Sequence, residues 1–106
     1  MMKEEISSLD ITSHIQSEDK FILYCYAPIC ANCTIAERML GIVSEMKGFE
    51  YTSINLNFHK GLIEAYEIRS APALLLFEHG ELVREVYAFR SVTYLTEVME
   101  EFMVDR

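Results

Sequence analysis

Cys30 and Cys33, set in Cys30-Ala31-Asn32-Cys33, are the residues of this chain best suited to covalent chemistry. Sulfurs at positions i and i+3 lie on one side of a helical turn and can join with little backbone movement. The pair falls where an apolar run, Phe21 to Ala27, gives way to a helical pattern beginning at Asn32. Unpaired N–H groups and the helix dipole at such a junction favour a thiolate. A thiolate attacks a disulfide, and a second thiol then resolves the mixed disulfide. Cys30, at or just before the helix start, is the expected exposed nucleophile, and Cys33, one turn in, the sheltered resolving thiol.

Other readings of the pair stand beside this one. A structural zinc site needs four ligands, and there is no second Cys-x-x-Cys. Cys25, His14, His59 and His79 are the remaining soft donors, and none has ligand spacing. An iron–sulfur cluster bridged between two chains, or a pair without a role, are further alternatives. Cys25 lies inside the apolar run and reads as a small buried hydrophobe. His79 reads as a turn residue, and His14 and His59 as surface or helix-end residues. Met39, Met46, Met99 and Met103 fit helix core stripes better than a ligand set.

The elements that must hold the pair follow from periodicity. Ser8 to Gln16 can form a short helix carrying Leu9, Ile11 and Ile15. Phe21 to Ala27 is apolar on both faces, as a strand covered on both sides must be. Asn32 to Lys47 is helical, with Ile35, Met39, Ile42, Val43 and Met46 on one face and Gly48 as the stop. Phe49 to Leu56 alternates like a strand, and His59 to Tyr66 is a short helix with Leu62, Ile63 and Tyr66 facing in. Ala73 to Phe77 and Leu82 to Ala88 form a hairpin about Glu78-His79-Gly80-Glu81, with Gly80 free to take a positive φ. Val92, Leu95, Val98, Met99, Phe102 and Met103 mark a final helix. The βαβ start demands a parallel pair, the hairpin adds antiparallel strands, and the expectation is an α/β fold. A central mixed sheet would be flanked by helices on both faces, in one domain over residues 1–106.

Composition narrows the function classes. The net charge of -8 repels phosphate backbones, which argues against nucleic-acid binding. The charged start Met1-Met2-Lys3-Glu4-Glu5 has no apolar stretch behind it, so no signal peptide is read there. No apolar run approaches the ~20 residues that cross a bilayer, and the expected location is the cytoplasm. Three cysteines, an odd number, do not suit a secreted disulfide framework.

Two segments together carry a family likeness. Tyr26-Ala27-Pro28-Ile29-Cys30-Ala31-Asn32-Cys33 resembles the thioredoxin active-site segment. The stretch Ile68-Arg69-Ser70-Ala71-Pro72-Ala73, with the following hairpin, resembles the family's second signature. The resemblance implies the thioredoxin fold, with Pro72 cis and packed beside the dithiol. It also implies that the backbone of Ala71 pairs with a substrate peptide, and that Ile29 lies on the docking surface around Cys30. Activity would be thiol–disulfide exchange without a bound cofactor or metal. The partners implied are protein disulfides as substrates and a reductase or a low-molecular-weight thiol as electron donor.

The sequence also departs from the family pattern. Ile29 stands where thioredoxins usually have Trp, and Ala31-Asn32 where they have Gly-Pro. Tyr24 stands in place of a buried Asp, Ser53 in place of the lysine that accompanies it, and Ala88 in place of a Gly. Without that carboxylate, deprotonation of Cys33 needs another base or water. Tyr24 and Tyr26 could donate hydrogen bonds to a thiolate but are poor bases. A binding or redox-regulatory module with little turnover is therefore the second reading.

Overall fold

Alternation along β1, Lys20–Tyr26, decides the architecture. Ile22 and Tyr24 point to one face of the sheet, and Phe21, Leu23 and Cys25 to the other. Both faces are covered, which is why the strand reads as one apolar run. The computed structural model describes residues 5–104. The charged start from Met1 to Glu4 lies outside them.

The elements are α1 (Ser8–Ser17), β1, α2 (Cys33–Lys47), β2 (Thr52–Asn55), α3 (Lys60–Tyr66), β3 (Ala73–Glu78), β4 (Glu81–Val86) and α4 (Val92–Met103). A single 3-10 turn, Leu56–Phe58, links β2 to α3. The strand order is β2-β1-β3-β4. β1 and β2 are parallel, and both other pairings are antiparallel. α2 and α4 cover one face through Ala36, Leu40, Val43, Leu95, Val98 and Met99. α1 and α3 cover the other through Ile11, Ile15 and Leu62. The result is a four-stranded mixed sheet between two layers of helices, the α/β thioredoxin fold expected from the sequence.

Helix ends follow local chemistry. The Ser7 side chain accepts from Asp10 N–H to cap α1, and Ser91 caps α4 in the same way through Tyr94 N–H. Gly48 closes α2 at φ 73, where a side chain would be strained. The hairpin turn uses His79 at φ 52 and Gly80 at φ 84, the two left-handed residues that match the strands' twist.

Several expectations need correction. The buried stripe of α2 is Cys33, Ala36, Leu40 and Val43. Ile35, Ile42 and Met46 are exposed instead, and Met39 packs only in part against the core. Burial of Cys33 fixes the rotation of the helix, and residues 3, 7 and 10 positions later then face the sheet. The strand expected from Phe49 to Leu56 is paired only over Thr52–Asn55. β2 is an edge strand with β1 as its one neighbour, and the register runs from Leu23–Thr52 to Tyr26–Asn55, so Leu56 falls past the end of β1 and Phe49 to Tyr51 lie ahead of the pairing. β4 likewise stops at Val86, before Tyr87 and Ala88. Among the described residues no strand precedes α1, and Ile6 packs against the core beside α1 and α3.

Candidate active site

β1 delivers the chain to the dithiol loop, and α2 carries it away. After Tyr26 the backbone leaves the sheet through Ala27, Pro28 and Ile29, and α2 starts at Cys33 with Asn32 as its N-cap. Cys33 N–H donates to Cys30 carbonyl oxygen at 3.4 Å, closing one tight turn between the cysteines. The two Cα atoms are 5.4 Å apart, and the sulfurs are joined in a disulfide. Cys33 is buried at 7% exposure, whereas Cys30 is half-buried. Ile29, immediately before it, is 99% exposed.

β3 brings up the second segment. The Ala71–Pro72 peptide is cis, and Pro72 is buried directly before β3. A groove of about 230 Å³ joins Pro72 to the first turns of α2 through Asn32, Ile35 and Ala36, and to Phe89 and Arg90 beyond β4. Residues forty positions apart in sequence, Asn32 and Pro72, thus line one hollow at the start of α2. Ala71 is partly buried beside the opposite core layer.

Tyr24 behaves differently from the sequence expectation. It is fully buried, and its hydroxyl donates to the backbone carbonyl of Cys33 at 2.7 Å, not to a sulfur. Burial, then the charge of Glu37 and the neighbouring Tyr51 and Cys25, push this hydroxyl well above the ordinary tyrosine range. Burial, with Glu5 and Glu37 behind it, raises Tyr26 as well. Both phenols keep their protons and do not serve as bases, and Tyr24 braces the start of α2.

Cys25 faces the core layer away from the disulfide and is fully buried. Burial pushes its thiol up to about 12 from an ordinary value near 9. Its pKa is raised on folding, so its contribution to stability is complete below pH 9 and is lost as pH rises towards 12. The unfolded chain gives up this proton across that window and the folded chain keeps it. Urea midpoints should be level between pH 7 and 8.5 and fall steadily above pH ~9, less steeply in Cys25→Val. An equal slope in both proteins would show that Cys25 does not carry the effect. Buried in this way, it should also escape alkylation in the folded, reduced chain.

A second cluster was missed at the level of sequence. His59 was expected at the surface or at a helix end; it does cap the start of α3, but it is buried. Its Nδ1 lies 2.7 Å from Ser8 Oγ, and its Nε2 lies 2.9 Å from Glu5 Oε2. Glu5 also accepts from Asn55 N–H at 2.7 Å. Both ring nitrogens have partners, which is what permits a buried imidazole. The trio fastens the segment before α1 to the end of β2. His14 pairs with Glu18 in the open, and His79 sits in the hairpin turn, both as expected.

Among the described residues no group of three or more His, Cys, Asp or Glu side chains gathers as metal ligands. No helix among them is long and apolar enough to cross a membrane.

Comparison with known proteins agrees with this geometry. Residues 4–101 match the Thioredoxin family. Thioredoxin-like protein YusE of Bacillus subtilis is 39% identical over 89 residues, covering 83% of each chain. A mutant thioredoxin from Halobacterium salinarum superposes with a TM-score of 0.80 at 23% identity, over 94% of this chain and 88% of that one. The oxidised thioredoxin of Plasmodium falciparum gives a TM-score of 0.79 at 16% identity, over 92% and 94%. The two structures share the fold, and the family match and the YusE likeness carry the relationship further. With a Cys-x-x-Cys pair closed at the junction of β1 and α2, this chain belongs to the thioredoxin family and is a thiol–disulfide oxidoreductase.

Proposed function

We propose that the chain reduces disulfides in partner proteins through a dithiol–disulfide cycle of Cys30 and Cys33. Cys30 is the attacking thiolate and Cys33 the resolving thiol. The observation that carries this assignment is their unequal exposure: Cys33 is buried and Cys30 is half-buried beside the exposed Ile29. A sulfur must be reached by a partner to begin exchange, and must be sheltered to finish it.

Ile29 and the backbone of Ala71 receive the substrate peptide, and Pro72 lines the adjoining groove with Asn32 and Ile35. Pro72 has no N–H, so it adds no donor beside the sulfurs. The cycle needs no bound cofactor. A reductase or a low-molecular-weight thiol returns the electrons, and a reducing compartment such as the cytoplasm suits that direction. Residues 1–106 act as one domain in this reading.

Titration of the protein against graded thiol–disulfide buffers, with free thiols counted by alkylation and mass, tests it. The expected result is a reversible two-electron transition of Cys30 and Cys33 between about -180 and -300 mV. A pair that never reopens in these buffers would overturn the cycle and leave a binding module.

A further inference from the structure

In the cycle just proposed, Cys33 must lose a proton before it attacks the mixed disulfide at Cys30. β1 offers no carboxylate for this, because Tyr24 fills the position beneath Cys33 and binds its carbonyl oxygen. α2 itself carries an acid one turn on from Cys33, Glu37. We propose that Glu37 takes the Cys33 proton, through water, from the cavity between α2 and the β1–β2 edge of the sheet.

Glu37 follows Cys33 by four residues, so the two side chains stand one turn apart on the same side of the helix. Its Oε2 lies 3.5 Å from Ser53 Oγ on β2. Ser53 is the register partner of Tyr24, whose hydroxyl reaches back to Cys33. Glu37, Ser53, Tyr24 and Cys33 therefore form a ring of neighbours spanning helix and sheet. Beside it lies an open cavity of about 610 Å³ lined by Glu5, Tyr26, Glu37, Tyr51 and Ser53. That is ample room for a chain of waters between polar walls.

The other titratable groups that face the cavity are committed elsewhere. Glu5, from the segment before α1, is held by His59 and by Asn55 N–H. Tyr26 of β1 and Tyr51 ahead of β2, on the cavity wall, and Tyr24, buried outside its lining, are all raised by burial and by the charge of Glu37, and remain protonated. Among the described residues Glu37 has only the long contact from Ser53, and its carboxylate is exposed enough to exchange protons with water.

The Cys33 S–H proton passes through water to the Glu37 carboxylate, and the Cys33 thiolate attacks Cys30 Sγ. The bond from Cys30 to the partner sulfur breaks as the Cys30–Cys33 bond forms. The partner sulfur leaves with the electron pair and takes up a proton, from Glu37 through the same water. The two enzyme thiols are oxidised by two electrons, and the partner disulfide is reduced to two thiols.

Single-turnover reduction of insulin, followed from pH 5 to 9.5 in the wild type, Glu37→Gln and Glu5→Gln, tests this. Glu37→Gln should slow release of the partner roughly 10²-fold near pH 6 to 7, the usual worth of general-base help. The deficit should close as pH rises past ~8.5, where a thiol ionises unaided. Formation of the mixed disulfide at Cys30 should be unaffected, which a merely structural fault would not spare. Superimposable pH profiles for the wild type and Glu37→Gln, or a shift carried by Glu5→Gln instead, would overturn the role of Glu37. A wild type that forms no mixed disulfide at all would overturn the cycle on which it rests.

Discussion

Cys30→Ser should bring disulfide reduction down to the uncatalysed rate while leaving the fold intact. A serine hydroxyl does not ionise near neutral pH and does not attack sulfur, whereas a thiol near a helix start does both. Cys33 cannot take over, since it is 7% exposed and is held as the first residue of α2, facing the core. The loss should not come with unfolding: Cys30 is half-buried, lies outside both core layers, and serine is close to it in size. Insulin reduction and the thermal midpoint of the reduced protein, measured side by side, check both halves. Appreciable turnover in this variant would mean that Cys33 is the attacking thiol.

The second large effect is the opposite failure. Cys33→Ser keeps the attacking sulfur and removes the one that releases the partner. Partner proteins should then stay bonded to Cys30 in a one-to-one adduct, visible by mass and released by dithiothreitol. The wild type should show little of it, because Cys33 sits next to the bond it must break, with its Cα 5.4 Å from that of Cys30. The double variant should trap nothing. If Cys33→Ser holds no partner while the wild type still reduces insulin, resolution runs through an external thiol.

Some of this structure is plain in the sequence and some is not, for physical reasons that differ by element. β1 and β3 are legible because burial on both faces leaves unbroken apolar runs, and α4 because its stripe has polar residues on either side. The hairpin is legible because few residues tolerate positive φ, and Gly80 marks the spot. The buried side of α2 is not legible. Two overlapping apolar stripes exist, Ile35-Met39-Ile42-Met46 and Ala36-Leu40-Val43, and periodicity weighs both alike. Contact with the sheet selects the second, and contact is a tertiary fact. The site divides in the same way. Cys30 and Cys33 are visible as a pair, and Ala71-Pro72 as a familiar segment. The hydrogen bond from Tyr24 to the Cys33 carbonyl and the burial of His59 depend on which residues face each other across elements. The spacing of four between Cys33 and Glu37 was present in the sequence. Its meaning needed β2 to bring Ser53 alongside.

The clasp formed by Glu5, Ser8 and His59 bears on how this protein can be handled as a reagent. It pins the chain next to Asn55, which pairs with Tyr26 where β1 runs out towards the dithiol loop. α4 finishes at the far end, where Lys20, the first residue of β1, stacks over Phe102. An affinity handle or solid support attached ahead of Glu5 is therefore tethered from a point held beside the end of β1 that leads to the dithiol loop. One attached after Met103 leaves from the opposite pole and keeps that loop clear. For capturing partners on beads, the second geometry is the one to build.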